Sequence, residues 1–206
     1  MFNNFVSKHD LHRNFRDTEN FYKYEEYITT SRIVPSYLDN TDGNYETFIA
    51  CYLIYGYINF TDSINFLKDA IAKGNIGAMF EMGWYLEDME YSFDEAIKYY
   101  KMVIEHELNS ENKEIIANSY KHLGRIVPDV EEGVELYKKA HELGHPTVSY
   151  YLGDYYDESE YRDEEQMIYY LSEILKDVNN EFYNHTISKL SAFYEKKEDF
   201  NSMIDL

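Results

Sequence analysis

A short pattern recurs along this chain and constrains it more than any other feature. It consists of a small or β-branched residue, then a long apolar residue four positions on, then glycine. Ala78-Met79-Phe80-Glu81-Met82-Gly83, Ser119-Tyr120-Lys121-His122-Leu123-Gly124 and Val148-Ser149-Tyr150-Tyr151-Leu152-Gly153 share it. Cys51 to Gly56 fits more loosely, with Tyr55 before the glycine, and Thr186 to Ser191 keeps Leu190 but replaces the glycine with serine. Four of the nine glycines therefore occupy one slot. A glycine inside a helix costs about 1 kcal/mol relative to alanine, so its recurrence requires a compensating cause. Close approach of a neighbouring helix backbone is the simplest. Self-similarity on this scale marks a chain of tandem units that bury their apolar faces on one another.

The stretches between glycines and the three prolines carry apolar residues at helical spacing. Phe93, Ile97, Tyr100 and Ile104 fall on one stripe of a helix running to about His106. Ser92 with Glu95 has the form of a capping box, and Asp129 with Glu132 and Asp163 with Gln166 repeat that form. No segment alternates with the period of a strand. Each glycine pattern is followed by a second helical stretch, Ile64 to Gly74, Ala96 to Glu107, Gly133 to Gly144 and Gln166 to Asp177. Each of these contains a bulky pair: Phe66-Leu67, Tyr99-Tyr100, Leu136-Tyr137 or Tyr169-Tyr170. Gly74 and Gly144 close two of them, as left-handed C-terminal caps would.

The two-helix unit resembles the Sel1-like repeat, a relative of the tetratricopeptide repeat. The family pattern has alanine, three residues, leucine-glycine and tyrosine, then a second helix rich in alanine and aromatics that ends in glycine. Ser119 to Gly144, with Leu123-Gly124 and Tyr137-Lys138-Lys139-Ala140, matches best, together with Gly144-His145-Pro146 leading into Leu152-Gly153 and Tyr156. The intervals between anchor glycines are unequal here, and Tyr, Val or Ile often stands where the family has alanine. The resemblance implies an all-α fold, a right-handed α-solenoid of about five antiparallel helix pairs over residues 45–206. Residues 1–44, with Phe21, Tyr22, Tyr24 and Tyr27 in a helical stripe and a linking loop around Pro35, are expected to form an N-terminal helical cap, a separate small domain being the alternative.

With 19 Lys plus Arg against 39 Asp plus Glu, the chain carries a net charge of −20. That balance argues against a nucleic-acid-binding surface, which needs clustered cations to neutralise phosphates. No apolar run is long enough to span a bilayer, which takes about 20 residues, and Met1 to Arg16 lacks a signal-peptide core. A soluble cytoplasmic protein is expected. Lone Cys51, in an apolar run, reads as a small buried hydrophobe.

His141-Glu142-Leu143-Gly144-His145 satisfies the spacing of a zinc protease motif, which requires both imidazoles on one face of an unbroken helix. The repeat register ends the helix near Gly144, and Pro146 disfavours helical geometry at His145. A turn is expected there and no metal site. His9 with His12 lacks a second ligand cluster, and the acids of Asp39 to Glu46 do not alternate as in a calcium loop. No phosphate-binding glycine loop or nucleophile elbow occurs, so neither catalysis nor a cofactor is expected.

The expected function is that of an interaction scaffold or adaptor holding a protein or peptide in a concave groove lined by the first helix of each pair. By analogy with the repeat pattern, the groove slots lie three residues before, one after and four after the anchor glycine. They hold Phe80, Trp84 and Glu87, then Lys121 and Arg125, then Tyr150, Asp154 and Asp157. The alternative is an acidic decoy of a basic nucleic-acid-binding protein. Seven acids meet only Arg162 between Asp154 and Glu165.

Overall fold

The computed structural model describes residues 42–55, 60–158 and 160–197. The N-terminal cap, Gly56 and the His9-His12 pair lie outside them. Among the described residues the chain forms nine helices and no strand: α1 (Asn44–Tyr55), α2 (Phe60–Ala72), α3 (Ile76–Asp88), α4 (Phe93–Ile104), α5 (Lys113–Ile126), α6 (Val130–Glu142), α7 (Val148–Asp157), α8 (Glu164–Ile174) and α9 (Tyr183–Lys196). No described helix is long and apolar enough to cross a membrane.

Helix boundaries follow local chemistry. Asp129 Oδ1 accepts from the Glu132 N–H at 2.7 Å, and Asp163 Oδ1 accepts from the N–H groups of Glu165 and Gln166. These satisfy donors that the first turn leaves without helical partners. Ser92 departs from expectation: it stands at the N-cap of α4 with φ −95° and ψ 70° and makes no side-chain cap bond. Gly74 and Gly144 both adopt φ +81°. Beyond each, the next N–H reaches back to the helix, Asn75 to Ala70 O at 3.1 Å and His145 to Ala140 O at 3.0 Å. That is a Schellman closure, which the left-handed glycine makes possible.

The chain divides into two compact units, residues 1–115 and 116–206, with the division in the first turn of α5. In the first unit α1 pairs with α2 and α3 with α4, while α3 also packs against α1 and α2. Ala50, Ile54, Leu67, Ala70, Ala78, Met82 and Tyr85 form its core. Covered from three sides, α3 is buried nearly all round. In the second unit α7 packs against both α6 and α8, and α8 against α9. Val134, Leu152 and Tyr170 form one core cluster, and Met167, Leu171 and Leu190 another.

The repeat register is visible in burial. The first slot of the pattern, Cys51, Ala78, Ser119, Val148 and Thr186, is buried in all five copies, and the long apolar slot is buried at Met82, Leu123, Leu152 and Leu190. The anchor glycines are packed by the second helix of their own pair. A Cβ at Gly83 would lie 2.8 Å from the Tyr100 ring, one at Gly124 2.9 Å from both Gly133 O and the Tyr137 ring, and one at Gly153 2.6 Å from Leu171. Backbone approach therefore explains Gly124, where Gly133 reciprocates, but at Gly83 and Gly153 a bulky side chain fills the space. Each bulky pair contributes one buried member, respectively Leu67, Tyr100, Leu136 and Tyr170. The stripe in α4 sits differently from expectation. Its core face is Ala96, Tyr100 and Val103, and Phe93 is exposed.

Candidate partner-binding face

The groove slots behave differently in the two units. In the first, Phe80 and Glu87 are only 5% and 3% exposed. Phe80 packs its ring 5.7 Å from that of Tyr100, and Glu87 Oε2 accepts from the Tyr100 hydroxyl at 2.7 Å. Neither presents a surface, because α1, α2 and α4 enclose the helix that carries them. Trp84 is half-buried and packs against the core of the unit.

In the second unit the slots lie at the surface. Arg125 is exposed, and Lys121, Tyr150, Asp154 and Asp157 are half-buried. The Tyr150 ring stacks on Phe182 at 4.3 Å with 8° between planes, and Tyr151 stands edge-on to both. Tyr137 stacks on Tyr151 at 5.4 Å, which continues the aromatic run from α6 through α7 to the turn before α9. Lys189 of α9 bridges Asp154 at 2.5 Å and Asp157 at 2.9 Å. Its ammonium is held charged by those carboxylates against the cost of burial, and its pKa is raised. Lys189 and Phe182 were not among the residues expected from sequence. In the sequence Lys189 lies two residues before the degenerate Ser191 anchor, and its ion pairs place it beside α7.

The zinc-like motif serves the helix junction. His141, in the last turn of α6, places Nδ1 3.0 Å from Ser149 Oγ and sets its ring edge against Tyr170. His145 lies beyond Gly144 in the turn, as Pro146 implies, and Glu142 is exposed. The Thr147 N–H donates to His145 Nδ1 at 3.2 Å, while Nε2 lies 3.1 Å from Asn118 Oδ1. A neutral ring that accepts at Nδ1 carries its proton on Nε2 and donates it to Asn118. Both nitrogens are thus committed to structure. Among the described residues no cluster of three or more His, Cys, Asp or Glu could hold a metal ion. Cys51 is buried, and burial together with the nearby Glu81 carboxylate pushes its thiol well above the usual range, which leaves it protonated and inert.

Burial, and then the charges of Lys121 and His122, lower the His145 pKa from 6.5 to about 4. The folded state therefore resists a proton that the unfolded chain accepts. The resulting stability is complete above pH 6.5 and is lost as pH falls towards about 4. We expect a loss of about 3 kcal/mol across that window. Asn75 fills the equivalent place after Gly74, where its Oδ1 accepts from the Ala78 N–H. His145→Asn should accordingly flatten the acid limb of a stability-against-pH curve. An unchanged limb would show that other groups set it.

Neither a protein-family model nor a curated protein sequence matches this chain.

Proposed function

We propose that the chain is a Sel1-like repeat protein whose helix pairs stack as a right-handed α-solenoid. In this reading it binds a protein or peptide on the first-helix face of its second unit, without catalysis, as a cytoplasmic scaffold. The carrying observation is the division of labour among repeat slots. Burial takes the first and apolar slots, and in α5 and α7 it leaves Lys121, Arg125, Tyr150, Asp154 and Asp157 at least partly open. Tyr150, braced by Phe182, is the apolar anchor, because a ring with few rotamers left to lose binds at low entropic cost. Arg125 and Lys121, four apart on one helix face, would hold a partner carboxylate, and Arg125 can do so through two parallel bonds.

A protein recovered by affinity capture from the native host, once purified, provides the titrant for calorimetry. Tyr150→Ala and Arg125→Ala are each expected to weaken binding about tenfold or more, and Arg125→Lys to weaken it measurably. Unchanged affinity in all folded variants would reject the face. The decoy reading has less support, since within the acidic stretch Lys189 engages Asp154 and Asp157, and Arg162 and Lys197 engage Glu164. A decoy would lose most of its affinity between low and high salt, whereas anchored peptide binding would lose far less.

A further inference from the structure

Two aromatic rings, Tyr91 in the turn between α3 and α4 and Phe93 at the first position of α4, stand outside the core. Tyr91 is 74% exposed and Phe93 45% exposed. Tyr91 also has φ 53°, in the left-handed region that a bulky L-residue enters only at a cost. The backbone holding it is nonetheless well tied. The Glu90 N–H donates to Tyr85 O, the Ser92 N–H to Leu86 O at 2.8 Å and the Ala96 N–H to Ser92 O, while the Tyr85 hydroxyl donates to Glu90 Oε1 at 2.6 Å. The two rings therefore project from a turn that is ordered before anything docks, which removes part of the entropy cost of association.

The charges nearest the rings in sequence are acidic, and Lys98, one turn past Asp94 in α4, is the first cation beyond them. Glu90, Asp94 and Glu95 are exposed beside the rings, and no Lys, Arg or His occurs between Glu81 and Ile97. We propose that the Tyr91–Phe93 turn is a docking knob for a partner protein that presents an apolar pocket rimmed by Lys and Arg. The rings fill the pocket, and Glu90, Asp94 and Glu95 meet the basic rim. A purely apolar receptor would desolvate these carboxylates without compensation, which is costly. A second copy of this chain, at net charge −20, would be repelled. The knob belongs to the first unit and does not depend on the face proposed for the second.

The test places a photoreactive benzoylphenylalanine at position 91 of the full chain in the native host, with the same label at Val178, which is 68% exposed, as control. A protein cross-linked from 91 and not from 178 is identified, purified and titrated against the native chain, Tyr91→Gly and Phe93→Ser. The expected result is an affinity reduced about thirtyfold or more in each variant. In the native pair it should also fall about tenfold as salt rises from about 50 to about 500 mM. Glycine suits the positive φ, so Tyr91→Gly should melt no lower than the native chain, which separates lost binding from unfolding. The proposal is overturned by no cross-linking above the control, by cross-linking to a second copy of this chain, or by a partner whose affinity ignores the substitutions or the salt.

Discussion

Gly124→Leu is expected to destabilise the chain by about 3 kcal/mol, near the upper end of overpacking effects. The slot has no room even for a methyl group. A Cβ would sit 2.9 Å from Gly133 O and equally close to the Tyr137 ring, and a Cβ at Gly133 would meet Gly124 O at 2.8 Å. A backbone carbonyl cannot rotate out of the way, so α5 and α6 would have to separate. That movement would disturb Tyr137, which stacks on Tyr151 of α7. Glu132→Gln on the exposed side of α6 keeps the backbone N–H that Asp129 caps and should change stability by less than about 0.5 kcal/mol. Denaturant unfolding of the two variants provides the comparison. Equal midpoints would mean that the glycine register is not what holds the pair together.

Tyr100 is the corresponding element of the first unit. Its ring is fully buried over Gly83, beside Phe80, and its hydroxyl donates to buried Glu87. Tyr100→Ala should cost about 4 kcal/mol through lost burial and the cavity left behind. Tyr100→Phe keeps the ring and removes only the donor to Glu87, and should cost about 1–2 kcal/mol. Burial first and the Glu87 carboxylate second hold the Tyr100 phenol far above the ordinary tyrosine range. An acid whose folded pKa is raised contributes its full stability below its unfolded value of 10.0 and loses that contribution as pH climbs above it. Alkaline melting should consequently be less steep in Tyr100→Phe than in the native chain. A slope identical in the two proteins would remove Tyr100 from the account and leave it to other tyrosines such as Tyr85, whose pKa is pushed up to about 12 by Glu90.

The helical character was legible because it rests on short-range facts. Asp129 and Asp163 sit where first-turn N–H groups need acceptors, and Gly74 and Gly144 sit where the chain must turn left-handed. Such interactions span a few residues and leave a mark in linear spacing. Ser92 shows the limit of that logic. Its motif matches Asp129 and Asp163, yet the turn holding Tyr91 at φ 53° leaves the serine without a cap bond. The same turn moves Phe93 off the apolar stripe that its spacing suggests.

Register alone did not decide which slots remain available. Phe80 and Glu87 occupy the same repeat positions as Tyr150 and Asp157 but are buried, since α3 is packed by three helices. Burial is a sum over neighbours distant in sequence, and a repeat pattern reports only each unit's own contribution. The choice of Lys189 as partner for both Asp154 and Asp157 is of the same kind, made across 35 and 32 residues. By itself, then, the sequence determined the helices, the caps at Asp129, Asp163, Gly74 and Gly144, and the recurring pattern of small residue, apolar residue and glycine, because these follow from local geometry and side-chain size. Tertiary structure decided which slot residues reach the surface, which charges pair and which rings stand out in solvent, because those depend on what the rest of the chain brings alongside.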